Sequence, residues 1–150
     1  MALLIRKALV PVSVQFSRLA LPASLPERRA LQAAILIFGC VPVAAGLAGA
    51  VLGFEAFGLA GSLAGDSHGR YLSGLLLAIG LGFWQAVPTI ERQGARIGLL
   101  TALVAVGGLV RLTGLLHTGW PDPGTAFALA MELVVTPSLW LWQRRLSAGV

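Results

Sequence analysis

The sequence predicts an all-α membrane protein, a four-helix transmembrane bundle with both termini cytoplasmic. Three observations carry this. Of 150 residues, 57% are hydrophobic and only 11% are charged, against roughly 25% charged in an average soluble domain. Mean hydropathy is +0.84, and so few charged side chains give a water-soluble globular enzyme of this size too little polar surface. Four separate stretches are also long and apolar enough to approach the roughly 20 residues that cross a hydrocarbon core. A single Cys excludes a disulfide scaffold or a zinc-thiolate cluster.

Residues 1–29 differ in character from the rest of the chain. They place Arg6, Lys7, Arg18, Arg28 and Arg29 among apolar residues and are broken by Pro11, Pro22 and Pro26. The uninterrupted apolar run of a cleaved signal peptide is missing. A basic segment lying on the membrane surface is the expectation, ahead of a disordered tail or a mitochondrial presequence.

The transmembrane domain is then expected over 30–146, with 147–150 as a tail. Its first span runs from Ala30 to about Phe54, interrupted only by Gln32 and Cys40. The second is Tyr71 to Val87, after Gly58, Gly61, Gly65 and Gly69, which read as loop breakers. Pro88 and Gly94 separate it from the third, Ile97 to Leu116. Gly119, Pro121, Pro123 and Gly124 make the last turn, before a span from Thr125 to Trp142.

The charges give this bundle an orientation. Four spans put both termini and the Glu91 connection on one side, with Arg6, Lys7, Arg18, Arg28, Arg29, Arg92, Arg96, Arg144 and Arg145. The other side has Arg70 and Arg111. An excess of Lys and Arg marks the cytoplasmic face, so the net charge of +5 points to a membrane surface and not to nucleic acid. Trp84, Trp120, Trp140 and Trp142 fall near span ends, where an indole settles at the interface.

The far half collects most of the titratable groups: Glu55, Asp66, His68, Arg70, Arg111, His117, Asp122 and Glu132. Counted back from the 118–124 turn, Arg111 and Glu132 each lie roughly 9–12 Å deep. A charge in hydrocarbon needs a partner, and equal depth makes an ion pair the simplest solution. The bland alternative has Arg111 reaching out to phosphate and Glu132 protonated. Arg70, Arg111, His117 and Glu132 are the candidate ligand or ion-pair cluster.

Small residues repeat along the spans. Ala45, Gly49 and Gly53 make one stripe; Arg70, Gly74, Ala78 and Gly82 make another; Gly107 and Gly108 flank Arg111. These are expected helix-packing seams and account for many of the glycines without a phosphate loop. His68 and His117 have no metal-ligand spacing, and no nucleophile or catalytic residue can be assigned.

The ordered set of Arg70-Tyr71-Leu72-x-Gly74, Arg96-x-Gly98-Leu99, Gly107-Gly108-Leu109-x-Arg111-Leu112, Gly119-x-Pro121-x-Pro123 and Glu132-Leu133 resembles a family of small four-helix bacterial membrane proteins. That family is known only as domain of unknown function 4345, and the resemblance covers about residues 31–143. It implies a membrane fold with Arg70, Arg111 and Glu132 as recurring polar positions, and it lends no activity. A looser, fold-level similarity is to the DoxX-like proteins.

Small size, glycine seams and no catalytic signature lead to one expectation of function. It is a non-enzymatic accessory or assembly subunit in the bacterial inner membrane, in contact with lipid and with a membrane-protein partner or a second copy. The alternative is a binding protein or enzyme for a quinone, isoprenoid or lipid that uses the Arg/His/Glu cluster; no other cofactor is implied. A transporter is disfavoured, because the cytoplasmic half of each span lacks ionisable residues.

Overall fold

The computed structural model describes residues 25–53 and 62–148, and all of its regular structure is helical. Most of the basic segment, the 54–61 connection with Glu55, and residues 149–150 lie outside the described residues. Helix α1 spans Leu25–Leu52 and α2 spans Leu63–Ala86, continuing into a 3-10 turn, Val87–Arg92. Helix α3 spans Gly94–Thr118, and α4 runs over Pro123–Ser147 with one π-helical turn, Met131–Val135. All four are long and apolar enough to cross a membrane. Their faces expose large apolar side chains such as Ile37, Leu99, Val110 and Val134, as contact with a bilayer requires.

The helices reach past the apolar stretches at both ends. Residues 25–29, expected in the surface segment, form the first turn of α1. Gly65 and Gly69 are helical rather than loop breakers, for two local reasons. The Ser62 hydroxyl caps α2 by accepting from the Gly65 N–H at 3.2 Å, satisfying one of the open N–H groups of a first turn. One turn on, Arg70 Nε donates to Asp66 Oδ2 at 2.7 Å, an i,i+4 pair that favours helix. Helix α4 is capped likewise: Asp122 accepts from the N–H groups of Gly124 and Thr125 at 2.9 and 3.1 Å. The Thr125 hydroxyl, then its N–H, holds the Asp122 carboxyl below the usual carboxylate range.

The chain packs as two hairpins. Helices α1 and α2 form the most extensive interface, and α3 packs chiefly on α4. Glycines set the closeness of the first: a Cβ on Gly46 would meet the Leu77 backbone nitrogen at 2.5 Å, and one on Gly80 would meet Val43 Cγ2 at 2.7 Å. Gly39 makes room for the Trp84 indole, whose Nε1 donates to the Leu36 carbonyl at 3.2 Å. Trp84 is therefore seated by packing, whereas Trp120 is fully exposed.

Packing stripes are expected at Gly74, Ala78 and Gly82 and at Gly107 and Gly108, and within this chain only some of these positions meet a neighbouring helix. Gly74 and Gly107 face open space and Ala78 is exposed. The buried face of α2 runs instead through Gly69, Ser73 and Gly80. Four-residue steps drift slowly around a helix of 3.6 residues per turn, and a neighbouring stripe one residue away faces the partner. Gly82 packs on Leu100, Gly108 on Glu132 and Leu133, and Gly49 is buried in α1.

The hairpins meet at the end bearing the 3-10 turn. There Leu31, Ile35, Ala86, Val87, Ile90, Ile97 and Leu146 form the buried cluster. A non-α turn leaves carbonyls without regular donors, and side chains of α1 and α4 supply them. Gln32 Nε2 donates to the Val87 carbonyl at 2.8 Å and Arg28 Nη2 to that of Pro88 at 2.9 Å. Fully buried Gln143 donates to the Ile90 carbonyl at 2.9 Å, and the Ser147 hydroxyl to that of Glu91 at 2.7 Å. Arg28 also pairs with Glu91 at 3.2 Å. Gln32, in the sequence a mere interruption, ties α1 to this turn.

Candidate functional site

Toward the opposite end, α3 and α4 carry the intramembrane charges. Arg111 Nε donates to Glu132 Oε2 at 3.1 Å and Nη2 donates to Oε1 at 3.0 Å. This two-point fork is the strong form of an arginine–carboxylate contact. The Glu132 side chain is 18% exposed and that of Arg111 45%.

Two local features place the pair. Gly108, three residues before Arg111 and on the same face, lets α4 come close: a Cβ there would lie 2.9 Å from Glu132 Cβ and 2.8 Å from Leu133 Cδ2. Pro137 has no N–H for the Leu133 carbonyl, so an unbroken α-helical ladder is not available through this segment. The helix widens into its π turn, with the Thr136 N–H bonded to the Met131 carbonyl five residues back. The Thr136 hydroxyl donates to the same carbonyl at 2.8 Å. Glu132 lies inside this turn, and such single π turns are frequent at functional sites.

The pair borders a cavity of about 550 Å³ between the hairpins. Helix α1 lines it with Ile35, Phe38, Gly39, Val41, Pro42 and Ala45, and α2 with Leu76, Ile79 and Phe83. Helix α3 adds Val104 and Arg111; α4 lines it from Gly124 through Phe127, Ala128, Met131, Glu132 and Thr136 to Leu139. The volume falls within the roughly 300–1,000 Å³ of small-molecule sites, which are mostly apolar with a few placed polar groups. Arg111, Glu132 and Thr136 are the polar lining here. The apolar lining had no signal in the sequence, since Leu76 or Phe127 in an apolar span looks the same facing a cavity or lipid.

The other candidates lie elsewhere. Arg70 does not line the cavity: besides Asp66, it donates to the carbonyls of Ala50 and Val51 at 2.9 and 2.8 Å. It thus satisfies the C-terminal carbonyls of α1, where a cation is also favoured by the helix dipole. Gly53, with φ of 75°, turns the chain there, and a Cβ on it would strike Asp66 and Arg70. His117 is exposed, about 9 Å beyond Arg111 along α3. His68 lies beside Tyr71, ring centroids 6.5 Å apart. Among the described residues, no three of His, Cys, Asp and Glu gather as a metal site would need.

Comparison with known proteins adds a family and nothing chemical. The model of a family described as domain of unknown function (DUF4345) matches residues 30–143. Neither the curated proteins nor the solved structures contain a match, so the looser DoxX-like similarity gains no support.

Proposed function

Because the chain belongs to the DUF4345 family, whose description carries no activity, its role has to be read from its own residues. We propose that it is a multi-pass protein of the bacterial inner membrane that binds a lipid-soluble small molecule between its hairpins. The observation that carries this is the apolar cavity of about 550 Å³ with the Arg111–Glu132 pair in its wall. A charged pair in a packed seam would need only enough space for itself. Here it borders room for a molecule, in a part of the chain that crosses an apolar medium.

The proposal is tested by filling the cavity. Ala45→Phe and Ala128→Phe place rings in it at lining residues that belong to neither the pair nor the buried cluster. Protein purified in mild detergent is extracted with organic solvent and the extract analysed by mass. Each variant should retain its folded yield and carry at least tenfold less of a small molecule held by the parent chain. Equal content in parent and variants sinks the proposal.

Both termini are proposed to be cytoplasmic, on the strength of the Lys and Arg bias. A reporter fused after Val150 should be active inside the cell, and activity outside it reverses the orientation. The accessory-subunit reading keeps one observation in its favour. Gly74 and Gly107 have nothing within 4 Å of where a Cβ would stand, leaving small-residue surface that a partner helix could approach closely.

A further inference from the structure

The charge balance of the cavity wall narrows what it takes. We infer that the occupant is a free, uncharged amphiphile, its carbonyl or hydroxyl head at the Arg111–Glu132 pair and its apolar body between the hairpins. This rests on the binding role proposed above. Arg111 and Glu132 cancel in net charge, and each Glu132 oxygen already accepts one Arg111 N–H, at 3.1 and 3.0 Å. Among the described residues, Arg111 and Glu132 are the only charged ones of the lining, so an anionic head would add an unbalanced negative charge to this apolar wall and a cationic head an unbalanced positive one. Such a charge is costly without a partner. The third polar lining group offers no relief, because the Thr136 hydroxyl donates to the Met131 carbonyl.

A neutral head meets no such conflict. A guanidinium has five N–H donors, and the fork to Glu132 uses two. Those remaining suit a carbonyl oxygen, and a hydroxyl can donate to a carboxylate lone pair. The layout also orders head and body. The α1 and α2 lining ends at Ala45 and Leu76, whereas α4 continues to line the cavity up to Gly124. Arg111 is the α3 lining residue nearer that side and Glu132 stands midway along the α4 lining, while the apolar volume enclosed by both hairpins extends toward Ile35 of the buried cluster.

The test uses three probes of matched length on the full chain in nanodiscs at pH 8: 2-tridecanone, dodecanoate and dodecylammonium. Binding is counted as the part lost in Ala45→Phe. The parent chain should bind the ketone at least tenfold more tightly than either ion. Glu132→Gln, which leaves the guanidinium unbalanced, should shift preference to dodecanoate by a similar factor. Arg111→Gln should shift it toward dodecylammonium. Preference of the parent chain for either ion overturns the uncharged head while leaving the cavity a binding site. A phospholipid as the cavity-dependent occupant in native mass spectrometry overturns a free amphiphile. If no probe binds and nothing cavity-dependent co-purifies, the binding role itself falls.

Discussion

Replacing Glu132 by leucine will lower folded yield and stability more than any other single removal of a polar group within the spans. The substitution leaves the Arg111 guanidinium, now bonded twice to Glu132, facing an apolar wall. Insertion scales set the cost of a lone charge there at about 2.5–3.5 kcal/mol. Breaking a buried pair from one side costs about 3–5 kcal/mol. Arg111 is 45% exposed and its stem can bend toward an interface, so the lower range applies. Arg111→Met should cost less, because a carboxyl can shed its charge by taking a proton and a guanidinium cannot. The double variant should recover most of the loss, since replacing both charges with apolar groups removes the unpaired one. Thermal unfolding in one detergent, run as a double-mutant cycle, checks this. Additive losses, with a coupling below about 0.5 kcal/mol, would show that the two residues do not sustain each other.

How far this arrangement could be read from the chain depends on which physical signal each part leaves. A charge in hydrocarbon is conspicuous, and counting back from the 118–124 turn puts Arg111 and Glu132 at one depth. Long apolar runs likewise reveal four helices. The same reasoning fails for Arg70, which sits near a span end but whose donors go to the last carbonyls of α1. That contact depends on how α1 ends, at Gly53 with its positive φ, and no spacing within α2 reports it. Gln32 and Gln143 fail to signal for a related reason. Their partners are carbonyls of a 3-10 turn distant in sequence, and that turn's need for donors appears only once its path is known. The cavity is the least legible feature, because hydrophobic patterning cannot tell a lipid-facing side chain from one facing a void.

The glycine stripes show the same limit and allow a decisive comparison. Gly46→Val is expected to be among the most destabilising changes in the α1–α2 hairpin. Its Cβ would meet Leu77 N at 2.5 Å, Leu77 Cα at 2.8 Å and the Ser73 carbonyl oxygen at 2.8 Å, all backbone atoms. No side chain there can swing away, so the helices must separate along their whole contact. Overpacking of this kind costs about 1–3 kcal/mol or more, and the separation would also pull Arg70 from the end of α1. Gly74→Ala, on the stripe that the sequence favours, meets nothing within 4 Å. Relieved of glycine's backbone freedom, it should be neutral or stabilising by up to about 1 kcal/mol. Unfolding of both variants in the same detergent decides between the two faces. If Gly74→Ala proves as harmful as Gly46→Val, a second chain covers that face in the membrane. The accessory role would then displace the cavity as the better account of this protein.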